Sequence, residues 1–223
     1  EEMLRQAFYQ NLQPEIFATQ FNGNTRLDVL TSLYAVWYRQ PDLLKWPVDE
    51  TGRVRFKLDL LAPQNGFVAH NAHDALGDVE ATIHLARLIA QRAPELWAEI
   101  LSNRDKAAVQ TRLASFQPMA LVERFGGGPP RATIGCFCGT SASNTSQAAF
   151  FDLDAADPAD LLAADDATIF AAVDASPKII RSLAINKSPA LLAVPAPSPV
   201  QIQRAEVIAQ SPEFRSRVGK ALA

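Results

Sequence analysis

Apolar residues recur at Leu27, Leu30, Leu33, Tyr34 and Trp37, the spacing that lays one stripe along a helix and buries it. The stripe predicts a helix over 27–38, stopped by Pro41, whose ring blocks continuation. Leu76, Val79, Ile83, Ala86 and Ala90 predict a longer helix over 74–92 with Asp74 as its N-cap, and Pro94 opens another through Leu96, Trp97, Ile100 and Leu101. Residues 3–9 read as the end of a helix. Residues 56–61 fit either a short strand or a helical turn before the Asn65-Gly66 loop, so the first half alternates helical and extended patterns. The texture changes around Gln117 and Pro118. After the breaker cluster at 126–130, short alternating or apolar runs at 133–138, 148–153, 179–185 and 190–194 predict a small, mostly β region. Single helices are predicted over 157–173 and 200–222, and the Pro-Ala-Pro-Ser-Pro segment at 195–199 reads as a stiff connector. The boundary between the two textures falls within 103–118.

Composition narrows the class. Of 223 residues 48% are apolar and 20% charged, with a net charge of −3. This is ample for a buried core and excludes disorder, collagen and a disulfide scaffold. Charges and prolines interrupt every apolar stretch well short of the roughly 18 residues a membrane span needs. A soluble cytoplasmic protein that engages no membrane is therefore expected. Cys136 and Cys138 are too few for a zinc site and too close for an ordinary structural disulfide, which predicts two reduced thiols. The chain opens Glu1, Glu2 with no signal-peptide plan, as an excised fragment would. Residues 151–174 carry seven aspartates and no Lys or Arg, whereas 175–223 carry seven Lys or Arg against two Glu. A solvated helix accounts for Arg215, Arg217 and Lys220 as well as phosphate contacts do.

The residues richest in chemistry lie in the run from His70 to Thr82. Five positions separate His73 from Asp78, about 500° of helix or about 140° around the axis. They meet only if His73 sits on the loop before the helix and Asp78 in its second turn, where Ala75 and Gly77 leave room for a ligand. A carboxylate is a hard oxygen ligand for Mg²⁺, and a neutral histidine beside it can take a proton from water acidified by the metal. The same residues also read as a cap (Asp74), a loop histidine (His73) and an exposed first-turn acid favoured by the helix dipole (Asp78). Spacing alone leaves both readings open. Asp78 and Glu80 cannot act as a pair, since residues two apart on a helix diverge by about 200°. Asp152 and Asp154 could share one face of an extended run, but fit turn-forming acids better. The triple glycine at 126–128 lacks the flanking pattern of a phosphate loop and reads as a hinge. Trp37, Trp46, Tyr34 and Phe21 are candidates for stacking on bases, with core packing the default for Trp37 and Tyr34.

His70-Asn71-Ala72-His73-Asp74-Ala75-Leu76-Gly77-Asp78-Val79, with Ala81-Thr82-Ile83, resembles the third motif of the DEDDh 3′–5′ exonucleases, and more narrowly that of the bacterial exonuclease I family. Further matches follow in order: Gly23-Asn24-Thr25-Arg26 with Asp28, Trp46-Pro47, Phe56-Lys57-Leu58, Asn65-Gly66, and Ile185-Asn186-Lys187-Ser188-Pro189. The resemblance spans nearly the whole chain. It implies an α/β ribonuclease-H-like exonuclease domain, present in part over 1–103, followed by an SH3-like, mostly β domain with added helices over 104–223. The activity implied is Mg²⁺-dependent 3′-to-5′ degradation of single-stranded DNA to mononucleotides. Asp78 would be a Mg²⁺ ligand of a two-metal site and His73 the general base. Lys57 would contact the terminal nucleotide where the family usually has arginine, offering a point charge in place of a planar fork. The implied partners are single-stranded DNA and single-stranded-DNA-binding protein, the enzyme itself being monomeric. The family's Asp-x-Glu strand motif and second aspartate are absent from these 223 residues, so the fragment is expected to be inactive alone. Two other readings remain: a non-catalytic module binding DNA or single-stranded-DNA-binding protein, and a polymerase-type proofreading exonuclease, which leaves the second domain unexplained.

Overall fold

In the computed structural model, which describes residues 2–11, 24–68 and 75–223, helices come first. Glu2–Gln10 is α1. Val29–Arg39 is α2, started by Asp28, whose carboxylate accepts the Leu30 N–H at 2.8 Å and so satisfies one of the donors a helix start leaves open. Past Arg39 the chain tightens into a 3-10 turn, Pro41–Leu43. Leu58–Gln64 is α3; of the two conformations open to 56–61, the helical one forms. Asn65 closes it. Its side chain accepts from Lys45 N–H at 2.9 Å and donates to the carbonyls of Lys45 and Leu61, while its own carbonyl lies 2.9 Å from His84 Nε2. Ala75–Arg92 is α4 and Pro94–Ser102 is α5. Extended pairing among the described residues of this half is confined to one bridge between Val48 and Val54.

The helix α4 buries a different stripe from the one its pattern suggests. Gly77, Ala81, Leu85 and Ile89 face the core, while Leu76, Val79 and Ile83 are exposed by 63%, 54% and 42%. Apolar residues line both sides of this helix. The side carrying glycine and alanine is the one that approaches its neighbours.

Lys106–Leu113 (α6) starts at Asp105, whose carboxylate caps Ala108 N–H at 2.7 Å. Five strands follow: Met119–Glu123 (β1), Arg131–Thr140 (β2), Gln147–Asp152 (β3), Ile180–Ala184 (β4) and Leu191–Ala193 (β5). They form one antiparallel sheet in the order β4-β3-β2-β1-β5. The last four match the predicted runs. The first was not anticipated. Pro158–Leu162 (α7), Asp166–Asp174 (α8), Pro199–Ala209 (α9) and Pro212–Ala221 (α10) complete the chain. Each of the single helices expected over 157–173 and 200–222 is thus two. Asp165 caps Thr168 N–H and restarts the first, and Pro212, which has no N–H to donate, breaks the second. The proline-rich connector ends in a capping box, Ser198 with Gln201, that launches α9.

Alternation along the strands sends side chains to two faces. Met119, Leu121, Phe150 and Leu183 pack with Val109 and Leu113 of α6. On the other face Cys136, Ala149 and Phe151 meet Ile169, Ile208, Phe214 and Val218 of the later helices. Nearer β5, Ala120, Val122 and Leu192 join Leu33, Val36, Leu85 and Ile89 of the helical half, so the two textures share a core. The sheet curls enough that Arg181 on β4 reaches Glu123 on β1 at 3.5 Å, although β3 and β2 lie between them. Helix α10 lies directly against β2. A Cβ on Gly219 would stand 2.4 Å from the Thr140 carbonyl oxygen, and one on Gly139 2.6 Å from that of Arg215.

The charge asymmetry resolves within the molecule. Arg217 pairs with Asp166 at 2.7 Å, and Arg204 donates to the Leu153 carbonyl at 2.6 Å beside Asp157. Arg215 donates to the carbonyls of Ile208 and Ala209 that end α9, and lies 4.8 Å from the Phe116 ring centroid. Arginines of the basic tail thus pair with Asp157 and Asp166 of the acidic segment, and Arg215 caps a helix. Asp152 accepts from the N–H groups of Asp154 and Ala155, which makes it a turn former. Both cysteines are free and buried; burial pushes the Cys136 thiol up to about 12 and Cys138 well above its usual range. No helix among the described residues is long and apolar enough to cross a membrane.

Candidate functional site

Asp78 lies in the first turn of α4, which begins at Ala75, and not in the second turn on which the expected approach of His73 depended; it is exposed. One turn on, Thr82 Oγ1 donates to the Asp78 carbonyl at 2.8 Å. Thr82 and Leu85 form one wall of a cleft of about 280 Å³, whose other walls are Asp28, Leu30 and Leu33 at the start of α2 and the pair Phe56 and Leu58. Lys57 stands between these last two, exposed, on the extended residue that opens α3. The helices α3 and α4 pack together, so Lys57, flanked by Phe56 and Leu58, and Asp78, one turn before Thr82, neighbour residues that line this cleft, although neither lines it itself. His73 lies outside the described residues, as do His70, Asp74 and Phe21.

The aromatic candidates divide. Trp37, Trp46, Tyr34 and Phe56 form one cluster of edge-to-face and tilted rings with centroids 5.2–6.0 Å apart, half or fully buried against the core. These are packing residues. Two cation-bearing places are assembled only by the fold, although Asn24, Arg26, Asn186 and Lys187 lie in the family-like runs. Beside the start of α6, Arg26, Arg104 and Lys106 line a polar pocket of about 290 Å³ together with Asn24 and Asn186; these residues come from three distant segments, so no spacing rule connects them. Around the end of β1, Phe125 is exposed between Arg124 and Arg181. Its only sequence signal was an aromatic between a charge and a glycine run.

Asp78 suits a divalent cation in kind, as an exposed oxygen donor. The Asp28 carboxylate on the same cleft is engaged as a helix cap. Among the described residues no three His, Cys, Asp or Glu side chains group closely enough to hold a metal ion, so these residues do not by themselves complete a metal site.

An α/β chain with an exposed acid and an exposed lysine near one cleft, and no self-contained metal site among the described residues, defines a class only in outline; the known proteins it is similar to are exonucleases. No family model matches the chain. Within that class the protein it resembles is exodeoxyribonuclease I, also called exonuclease I. The Haemophilus influenzae exodeoxyribonuclease I is 36% identical over 111 residues, 49% of this chain and 23% of that protein. The E. coli exonuclease I solved in complex with a dA16 oligonucleotide superposes with a TM-score of 0.73 at 25% identity, covering 98% of this chain and 51% of that one. A solved SSB/exonuclease I complex with the inhibitor CFAM superposes with a TM-score of 0.72, again at 25% identity, over 98% of this chain and 50% of that one. The sequence match thus spans less than a third of the curated relatives, and the fold match about half of the solved chains.

Proposed function

We propose that this chain is part of a 3′-to-5′ exodeoxyribonuclease that degrades single-stranded DNA to mononucleotides with the help of Mg²⁺. Its residues 1–103 would belong to a ribonuclease-H-like exonuclease domain and 104–223 to an SH3-like one. The observation that carries the reading is a fold that follows exonuclease I over 98% of the chain's length; Lys57 and Asp78 neighbour residues that line one cleft, which supports it. The curled five-stranded sheet fits the SH3-like assignment.

In this reading Lys57 holds the phosphate of the terminal nucleotide, a task its exposed ammonium can perform as a point charge. His73, two residues before α4 in the sequence, removes the proton from the attacking water. Asp78 contributes one oxygen to a divalent ion, which when bound would make that water easier to deprotonate. The remaining donors would come from outside the described residues. Single-stranded-DNA-binding protein is the proposed protein partner, after the SSB complex of the solved relative.

The test is release of mononucleotides from 3′-labelled single-stranded DNA with Mg²⁺, by the 223-residue chain and by a version extended upstream. Hydrolysis by the extended protein, lost on Asp78→Ala, is expected, with none from the short chain. Hydrolysis that ignores Asp78→Ala and His73→Ala would overturn the reading. Preference for mismatched primer ends over free single strands would favour a proofreading enzyme instead.

A further inference from the structure

His84 follows the exonuclease-like run, which ends at Ile83, and lies outside the buried stripe of α4. Two contacts nevertheless converge on its half-buried ring. Nε2 stands 2.9 Å from the Asn65 carbonyl oxygen. A carbonyl oxygen can only accept, so Nε2 carries a proton and donates, whether the ring is neutral or charged. The ring also meets that of Phe67, with centroids 5.4 Å apart and planes tilted by 43°.

Both contacts grip the end of α3. Asn65 closes that helix and donates its amide to the carbonyls of Lys45 and Leu61, and the Phe67 N–H returns to the Ala62 carbonyl at 3.1 Å. Lys57 opens the same helix, which is seven residues long. A helix of about two turns moves as one body, so whatever fixes its last residue also fixes its first. Leu61 and Ala62 of α3 share a core with Ala81, Leu85 and Ile89 of α4, but apolar contact has no direction and lets packed helices slide. A hydrogen bond has one. The bond from His84 to Asn65 therefore sets where α3 lies along α4, the helix whose first turn holds Asp78.

We propose that His84 is a positioning residue: by holding the Asn65 carbonyl it seats α3 on α4 and so fixes Lys57 relative to Asp78. The task of Lys57 on the terminal phosphate rests on the nuclease reading; the clamp itself does not.

Two measurements keep the clamp and the reading apart. Spin labels on Lys57→Cys and Asp78→Cys in the 223-residue chain, whose own cysteines are buried, report the distance between the two elements. His84→Ala should broaden that distribution, and His84→Gln, whose amide still donates, should keep it narrow. His84→Phe keeps a ring against Phe67 and loses the donor; it should broaden the distribution as well, and it decides where His84→Ala does not fold. In the upstream-extended protein, His84→Ala should raise the DNA concentration for half-maximal rate about fivefold, the worth of one neutral hydrogen bond, with kcat kept. Combined with Lys57→Ala it should change nothing further. A merely structural loss would lower kcat through a smaller folded fraction and would add to Lys57→Ala in full. The positioning role is overturned if the distribution stays as narrow as the parent's, if the half-maximal concentration does not move, or if the two losses add. Hydrolysis that ignores Asp78→Ala would sink the nuclease reading, while the label distances still decide the clamp.

Discussion

A carboxylate in the first turn of a helix is common, because the helix dipole favours it there; what sets Asp78 apart is its place in an ordered run of motif residues, one turn before the Thr82 that lines a cleft with Phe56 and Leu58. In the upstream-extended protein, Asp78→Ala should lower the cleavage rate by at least about a hundredfold while DNA binding is largely kept, since phosphate contacts position the strand independently. Rate and binding measured on the same variant check this. Lys57→Ala should raise the DNA concentration giving half-maximal rate, and Lys57→Arg should restore or improve it; steady-state kinetics decide. Asp78 and Lys57 stand out as candidates in the sequence because each sits in a short ordered run of motif residues. Phe125 does not, because its partners Arg181 and Lys187 are brought to it by the curl of the sheet. The thiols offer a separate check at this scale. Both are buried and their ionisation is opposed by burial, so a thiol reagent at pH 8 should leave Cys136 and Cys138 unmodified in the folded chain and label both in denaturant.

Among the elements, the contact of α10 with β2 is set by two residues without side chains. Gly219→Ala puts a methyl group against the Thr140 carbonyl, and overpacking of this kind costs about 1–3 kcal/mol. A lower urea midpoint at unchanged slope is expected. The elements also show why pattern reading succeeded in some places and failed in others. Strands β2 to β5 fell where alternation or turn residues marked them. Strand β1 is buried from Met119 to Val122, and a strand covered on both faces shows no period of two. The apolar residues of α4 were visible, but not which side would be buried: Gly77 and Ala81 win that competition by allowing close approach. The split of the C-terminal helix was legible in Pro212, whose missing N–H breaks the pattern that the apolar spacing alone continues.

The whole molecule is held together where the two textures meet. Strand β5 lies at the sheet edge, and side chains of the helical half satisfy its backbone. Glu99 accepts from the Ala193 N–H, Arg39 donates to the Ala193 carbonyl, and Asn103 donates to that of Leu191 at 2.8 Å. Arg112 pairs with Glu99 at 3.5 Å. With Ala120, Val122 and Leu192 buried in the same core as Leu85 and Ile89, the described chain should unfold in one calorimetric transition. Residues 104–223 expressed alone would uncover that surface and bind a hydrophobic dye strongly; a second transition in the parent, or a dye-silent 104–223, would contradict the shared core.

Asn65 and Gly66 form the sequence most prone to spontaneous deamidation, a reaction in which the glycine nitrogen attacks the asparagine side chain. Here the Asn65 amide is tied to Lys45 and Leu61, and the Gly66 N–H is donated to Pro63. The folded chain should therefore age slowly at this site. Conversion of Asn65 to aspartate, followed by mass spectrometry in storage, becomes a clock that runs only while the N-terminal half is open.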